Sequence, residues 1–294
     1  MADRADRLVQ LGRAAGHPRP GLGGQGGVHG EGRPIELTTA ALVESLETTH
    51  GRVGRLLTGL PPAAWELEVP ATPAWSVADV VAHLAEGDGA ALAAAQGRDH
   101  RGPLAEAGSI DEWTAAGVAA HQGEAPEVRL EAWEAAADAF RWHLAALDGE
   151  GWRARVPWVS GPISVRTLGA LRLNDAWLHG HDVAQAAGQR FEADEPTLAL
   201  LADLAARTVP GGLSRRGRAH PGAVILLRLG TGQWLLGGAA GERPDPGADP
   251  DLVVEAEPLP FVLRAAGRTG GDPWRVTGDP SLAADLAATL SSVR

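Results

Sequence analysis

Apolar residues recur at helical spacing from Leu37 onward, with Leu42, Val43, Leu46, Val53, Leu56 and Leu57 on one stripe that stops before Pro61 and Pro62. The pattern predicts a first helix. Ser76 followed by Asp79 has the form of a capping box, and Val80, Val81, Leu84 and Leu92 continue a helical period behind it. His83 therefore lies about two turns into a second helix. Ser109 is placed to cap a short helix running through Asp111 towards His121. A long helix is expected from about Pro126 to Leu147, with Leu130, Trp133, Ala137, Phe140 and Leu144 on one face. The stretch from Gly149 to Pro162, rich in Trp, Gly and Pro, reads as irregular. The next long helix begins near Thr167 and ends where Gly188 supplies a C-terminal glycine. Four principal helices of roughly twenty residues read as a helical bundle, in which sites are built from side chains on facing helices.

The period changes after Phe191. Pro196 to Val209 fits one more helix, and 223–229, 233–236 and 252–256 read as short strands between Gly-rich turns. Helices are expected at 258–266 and 280–290, with 274–277 as a last strand. The organisation expected is mainly α: a bundle over 35–190, then a small α+β domain over 191–294. Residues 1–34 precede it. Their Gly-Pro-rich run from Gly16 to Gly30 has too little apolar area to offset ordering entropy and is expected to be disordered.

Composition narrows the chemistry. The 294 residues contain no cysteine and no lysine, so thiolate ligands, cysteine nucleophiles and Schiff bases on a side-chain amine are excluded. Any thiol chemistry must use a thiol supplied from outside. A net charge of −11 argues against nucleic acid as a partner. No apolar run approaches the roughly 18 residues of a membrane helix, and the N-terminus lacks a hydrophobic signal core. A cytoplasmic location and no membrane partner are the default expectations, with a monomer or homodimer as the assembly.

One constellation stands out. Asp175 and His179 are four residues apart on one helix face, and His83 on a facing helix would complete a set of three ligands with open positions, as in catalytic metal sites. Each part has a plainer reading. An isolated histidine on an apolar helix is more often a core or surface residue, and an acid–base pair at this spacing also stabilises a helix by a few tenths of a kcal/mol. Asp182, three residues beyond His179, either orients that histidine or fixes the bundle through an interhelix hydrogen bond. Arg172 either meets a substrate carboxylate or pairs with Asp175. Glu86, one turn after His83, has three readings: an acid behind the site, a general base or, the plainer one, solvent-facing charge. His181 points to another face, and His143 is a reserve ligand.

The stretches Thr72-Pro-Ala-Trp-Ser-Val-Ala-Asp-Val-Val-Ala-His-Leu84 and Asn174-Asp-Ala-Trp-Leu-His-Gly-His-Asp-Val-Ala-Gln-Ala-Ala-Gly188 resemble signatures of the mycothiol-dependent maleylpyruvate isomerase family. The resemblance covers about 37–190. It implies a DinB-like four-helix bundle, followed by a small α+β domain of sterol-carrier-like type. It further implies a divalent metal, usually zinc, held by His83, Asp175 and His179, where the family commonly has glutamate in place of Asp175. Asp182 and Arg172 are then the catalytic candidates. Mycothiol would be the cosubstrate and a small electrophile the substrate, with isomerisation or S-transfer as the reaction. Metal-assisted hydrolysis at the same site and a non-catalytic binding or regulatory role remain open readings.

Overall fold

The computed structural model describes residues 37–98, 109–159, 161–268 and 274–290. The segment expected to be disordered, and Ser160, lie outside the described residues.

Helix α1 (Thr39–Thr58) starts where Thr38 accepts a hydrogen bond from the Ala41 amide, and a 3-10 turn at Pro62–Glu66 follows it. Helix α2 (Val77–Ala95) carries the expected capping box. The Ser76 hydroxyl accepts from the Asp79 amide at 3.2 Å, and the Asp79 carboxylate accepts from the Ser76 amide at 3.0 Å. Helix α3 (Ile110–Ala120) is capped by Ser109, and α4 (Pro126–Ala145) opens on a proline, which lacks only an amide that a first turn leaves unpaired.

The stretch expected to be irregular contains a short helix α5 (Gly149–Arg153) and an antiparallel pair, β1 (Arg155–Val156) with β2 (Ile163–Ser164). Asp148 nucleates the helix by accepting from the amides of Glu150 and Gly151. Elements this short have no periodicity to read. Helix α6 (Val165–Ala186) starts two residues before Thr167, because Ser164 is the cap and accepts from the Thr167 amide. Gly188 adopts the expected left-handed conformation at φ 67°, just beyond the helix end.

Helices α1, α2, α4 and α6 form the bundle. Each of α1 and α2 packs against both α4 and α6, around Trp133, Phe140, Leu144, Leu168, Leu173 and Trp177. Helix α7 (Glu195–Arg215) continues through Pro210, past the end expected at Val209. Val209 and Leu213 on either side of the proline are both buried, and that packing carries the helix through its breaker.

The sheet has the order β4–β3–β5–β6, built from β3 (Val224–Leu229), β4 (Gly232–Gly237), β5 (Leu252–Ala256) and β6 (Arg275–Gly278). The β3–β5 pair is parallel and the other two are antiparallel. Helix α8 (Pro258–Ala265) follows β5, and α9 (Pro280–Leu290) follows β6.

Helix α7 packs on α1 and α6 of the bundle and also on β4, α8 and α9. One buried apolar cluster consequently extends from Leu42 and Phe140 through Leu201 to Ile225, Phe261 and Leu290. By packing, the described residues form one compact unit. Among the described residues no helix is long and apolar enough to cross a membrane.

Candidate metal centre

Helices α2 and α6 present His83, Asp175 and His179 to one another. The His83 Nε2 lies 3.3 Å from Asp175 Oδ2, and the His179 Nε2 lies 3.5 Å from Asp175 Oδ1. The two imidazole rings meet edge to face, with centroids 5.0 Å apart. One donor atom from each residue falls within 4.8 Å of the others. Zinc bonds of about 2.0–2.2 Å in tetrahedral geometry separate neighbouring ligand atoms by roughly 3.5 Å, so this donor set fits a divalent cation. Aspartate, although a methylene shorter than glutamate, reaches both histidines. The side chains retain some access to solvent: 16% of His83, 27% of Asp175 and 8% of His179.

The electrostatics favour metal-competent protonation states. Burial pushes His83 below its ordinary value, partly opposed by Asp175, and the ring is neutral at pH 7. Burial acts to raise the Asp175 carboxyl, but Arg172, then His83 and His179, hold it well below the usual carboxylate range. Arg172 itself is 4% exposed. Its Nη1 donates to Asp175 Oδ2 at 2.6 Å and its Nε to Asp88 Oδ1 at 2.7 Å. Burial opposes its charge, and the two carboxylates outweigh that and raise its pKa. The guanidinium crosses to α2 over Gly87, where an added Cβ would sit 2.5 Å from Nη1. Asp88 is fully buried and accepts a second bond from the Trp133 indole nitrogen at 3.2 Å. The Asp175 carboxylate is thus fixed by a chain of charge-assisted bonds that ends on α4.

Asp182 is buried beneath His179, with Oδ2 at 3.5 Å from His179 Nδ1. The Arg268 Nε donates to its Oδ1 at 3.2 Å, and Nη2 donates to Oδ2. Burial acts to raise this carboxyl, and the nearby His179, His181 and hydrogen-bonded Arg268 lower it below the ordinary range. Asp182 thus faces the histidine and is tied by Arg268 to the turn that ends α8. Of the two readings open for Arg172, the structure displays the pairing with Asp175.

Trp75 flanks the site, its ring 5.2 Å from that of His83. It is set there by a tight turn in which the Trp75 amide donates to the Thr72 carbonyl at 3.0 Å and Ala74 takes φ 73°. A left-handed alanine costs on the order of 1 kcal/mol and persists where the surroundings over-determine it.

The other residues considered lie apart from this cluster. Glu86 is bonded to His121 Nε2 at 3.0 Å, and the other ring nitrogen of His121 is 2.7 Å from Glu124. His143 is outside the cluster, and His181 stacks on Trp177 with centroids 5.4 Å apart. Asp88 and Arg268 are the two site residues that sequence reasoning missed. Each reaches its partner across more than eighty residues of chain, 84 for Arg172–Asp88 and 86 for Arg268–Asp182, where spacing rules give no signal.

Residues 46–184 match the family described as the mycothiol maleylpyruvate isomerase N-terminal domain. Among solved structures the chain is similar to the crystal structure of the mycothiol-dependent maleylpyruvate isomerase. The identity is 18%, the match covers 82% of this chain and 93% of that one, and the TM-score is 0.57. A histidine-to-alanine mutant of that enzyme matches at 17% identity with the same coverage and TM-score. At such identities the likeness establishes the fold, and its coverage extends beyond the bundle into the sheet region. No curated protein matches the chain.

Proposed function

Because the helical bundle of this chain belongs to the mycothiol maleylpyruvate isomerase N-terminal domain family, we propose that the protein is a mycothiol-dependent isomerase of a small electrophilic alkene, working at a divalent metal held by His83, Asp175 and His179. The observation that carries this reading is the convergence of those three donors within 4.8 Å from two facing helices. When bound, such an ion would supply Lewis acidity that lowers the pKa of a coordinating thiol.

The chain's own groups do the rest. His83 and His179 turn Nε2 towards Asp175, whose Oδ1 is not taken by Arg172. Trp75 offers an apolar wall beside His83 on which the cosubstrate or the alkene can lie. No cysteine competes as a nucleophile. In the reaction the sulfur of the deprotonated thiol bonds to an alkene carbon, and the π pair moves onto the conjugated carbonyl oxygen. After rotation about the new single bond, the electron pair returns and expels the thiolate. The double bond is restored in the trans form, with no net redox change and no consumption of thiol.

After metal-replete expression the protein is expected to retain about one divalent ion per chain; less than about 0.1 per chain would overturn the metal-dependent reading. In a cobalt-substituted sample, mycothiol should shift the visible spectrum, and conversion of a cis-alkenyl oxo-acid to its trans isomer should require mycothiol in catalytic amount. Stoichiometric consumption of the thiol would instead identify S-transfer.

A further inference from the structure

We propose that a groove between α1 and α4 is a second binding site, for a small zwitterion of the α-amino acid kind. His83, Asp175 and His179 do not line this groove, so the site is separate from the metal centre.

Gly51 and Gly54, three residues apart on α1, leave one stretch of the groove wall without side chains. Two ionic groups lie over it. Arg55 Nη1 comes within 3.4 Å of where a Cβ on Gly51 would stand, and Glu134 Oε1, reaching across from α4, within 3.1 Å of where one on Gly54 would stand. Such Cβ positions are about 5–6 Å apart. Among the described residues, neither side chain has an ion-pair or hydrogen-bond partner, and the two do not meet each other. The other charged groups of the groove are already paired. Arg141 Nη2 donates to Asp138 Oδ1 at 3.0 Å, and its Nη1 lies 3.8 Å from Glu47 Oε2. One cation and one anion are left over a bare strip of helix. An ammonium and a carboxylate borne by one carbon answer both. With a hydrogen bond at each end such a ligand spans roughly 8 Å, the scale of this separation, and a guanidinium matches the carboxylate in a fork.

The floor of the groove also calls for a partner. His50 lines it, is 8% exposed and has no hydrogen bond at either ring nitrogen, whereas buried polar groups are ordinarily satisfied. Burial, against the pull of Asp88, keeps the ring neutral at pH 7, so it offers one donor and one acceptor. Both nitrogens are shielded from solvent. No hydrogen bond holds the ring in that orientation, and a half turn about Cβ–Cγ exchanges each nitrogen with a ring carbon as a ligand enters. At about 830 Å³ the groove is of small-molecule size, with room for a side chain beyond the two charged groups.

The test is saturation-transfer NMR of the full-length protein with a panel of free L-amino acids, followed by calorimetry on those that bind. At least one is expected to bind with millimolar or tighter affinity. Its amine and acid counterparts, each lacking one of the two charges, should bind about tenfold or more weakly. Arg55→Gln and Glu134→Gln should each cost a similar factor, and His50→Leu about threefold or more. Arg55 and Glu134 are exposed, so their variants keep the fold. The outcome does not depend on the proposed function, since a chain that binds no metal is tested in the same way. Absence of binding by every member of the panel at millimolar concentration would overturn the proposal. Native affinity in any of the three variants would do so too, and would place the amino acid elsewhere, the metal centre included.

Discussion

The bundle buries histidines in two corners, and only one of them is organised for chemistry. Between α1 and α4, His50 is 8% exposed, lies edge-on to Trp133 with centroids 5.8 Å apart, and has no partner for either ring nitrogen. Burial, offset in part by Asp88, pushes it below its ordinary value. A groove of about 830 Å³ runs beside it, lined by Gly51, Gly54, Glu134 and Arg141 among others. Between α2 and α6, His83 and His179 share a carboxylate, and that carboxylate is fixed by a buried arginine. The corner with the spacious groove is not the corner with converging donors. A buried imidazole becomes a ligand when an acid meets it and the acid's own orientation is settled elsewhere; volume alone does not do that.

The contrast can be broken most forcefully at Arg172. In Arg172→Leu the buried charges of Asp88 and Asp175 lose their common partner, and unfolding by urea should show a loss of about 3–5 kcal/mol. A loss below about 1 kcal/mol would mean that the α2–α6 corner is no more tightly built than its counterpart. Gly87→Ala attacks the same corner by volume. The new methyl would occupy the path of the guanidinium. A cost of about 1–3 kcal/mol is expected, with weakened zinc binding measured by chelator competition. His50→Leu should do far less, changing stability by under about 1 kcal/mol in either direction, because the replaced ring leaves no hydrogen bond behind. A loss beyond about 2 kcal/mol in the same urea assay would contradict the absence of a partner.

His121 sharpens the comparison from the surface. Burial acts to lower it, but bonds to Glu124 and Glu86 raise it above 6.5. A raised folded value means that the stabilisation is complete below 6.5 and is lost as pH climbs through that raised value. Amide protection factors in α3, corrected for intrinsic rates, should therefore fall as pH rises from 6.5, while those in α2 beside His83 hold. Flat protection in α3 would show that this contact contributes nothing to docking the helix.

What could be read from the chain follows from how far each signal reaches. The four bundle helices and the Ser76 cap are local patterns that repeat within a few residues, and the structure has them within a turn of their expected ends. The Asp175–His179 pair is likewise a matter of helix spacing, and His83 was identifiable from its own surrounding motif. Asp88 and Arg268 have no such signature. Asp88 sits beside Glu86 and Gly87 like any surface acid, and only folding places it opposite Arg172 and the Trp133 indole. The run of α7 through Pro210 also escaped the local rules, because packing of Val209 and Leu213 overrides a breaker that acts on the backbone. Trp133 was legible as a core residue, yet its polar handle was not, since periodicity reports which face is buried and nothing of what its hydrogen-bonding groups meet.

Helix α7 has a consequence for the order in which the chain acquires its shape. It closes one side of the bundle and also lies on the sheet, so Leu42 shares a buried cluster with Leu290. During synthesis the first four long helices can collapse as they emerge, but their outer flank stays wet until Glu195–Arg215 has left the ribosome. The sheet, with a parallel β3–β5 pair that closes only after a long excursion, then completes the cover. A nascent bundle waiting for its lagging partner exposes apolar surface and is the stage most open to aggregation or chaperone capture.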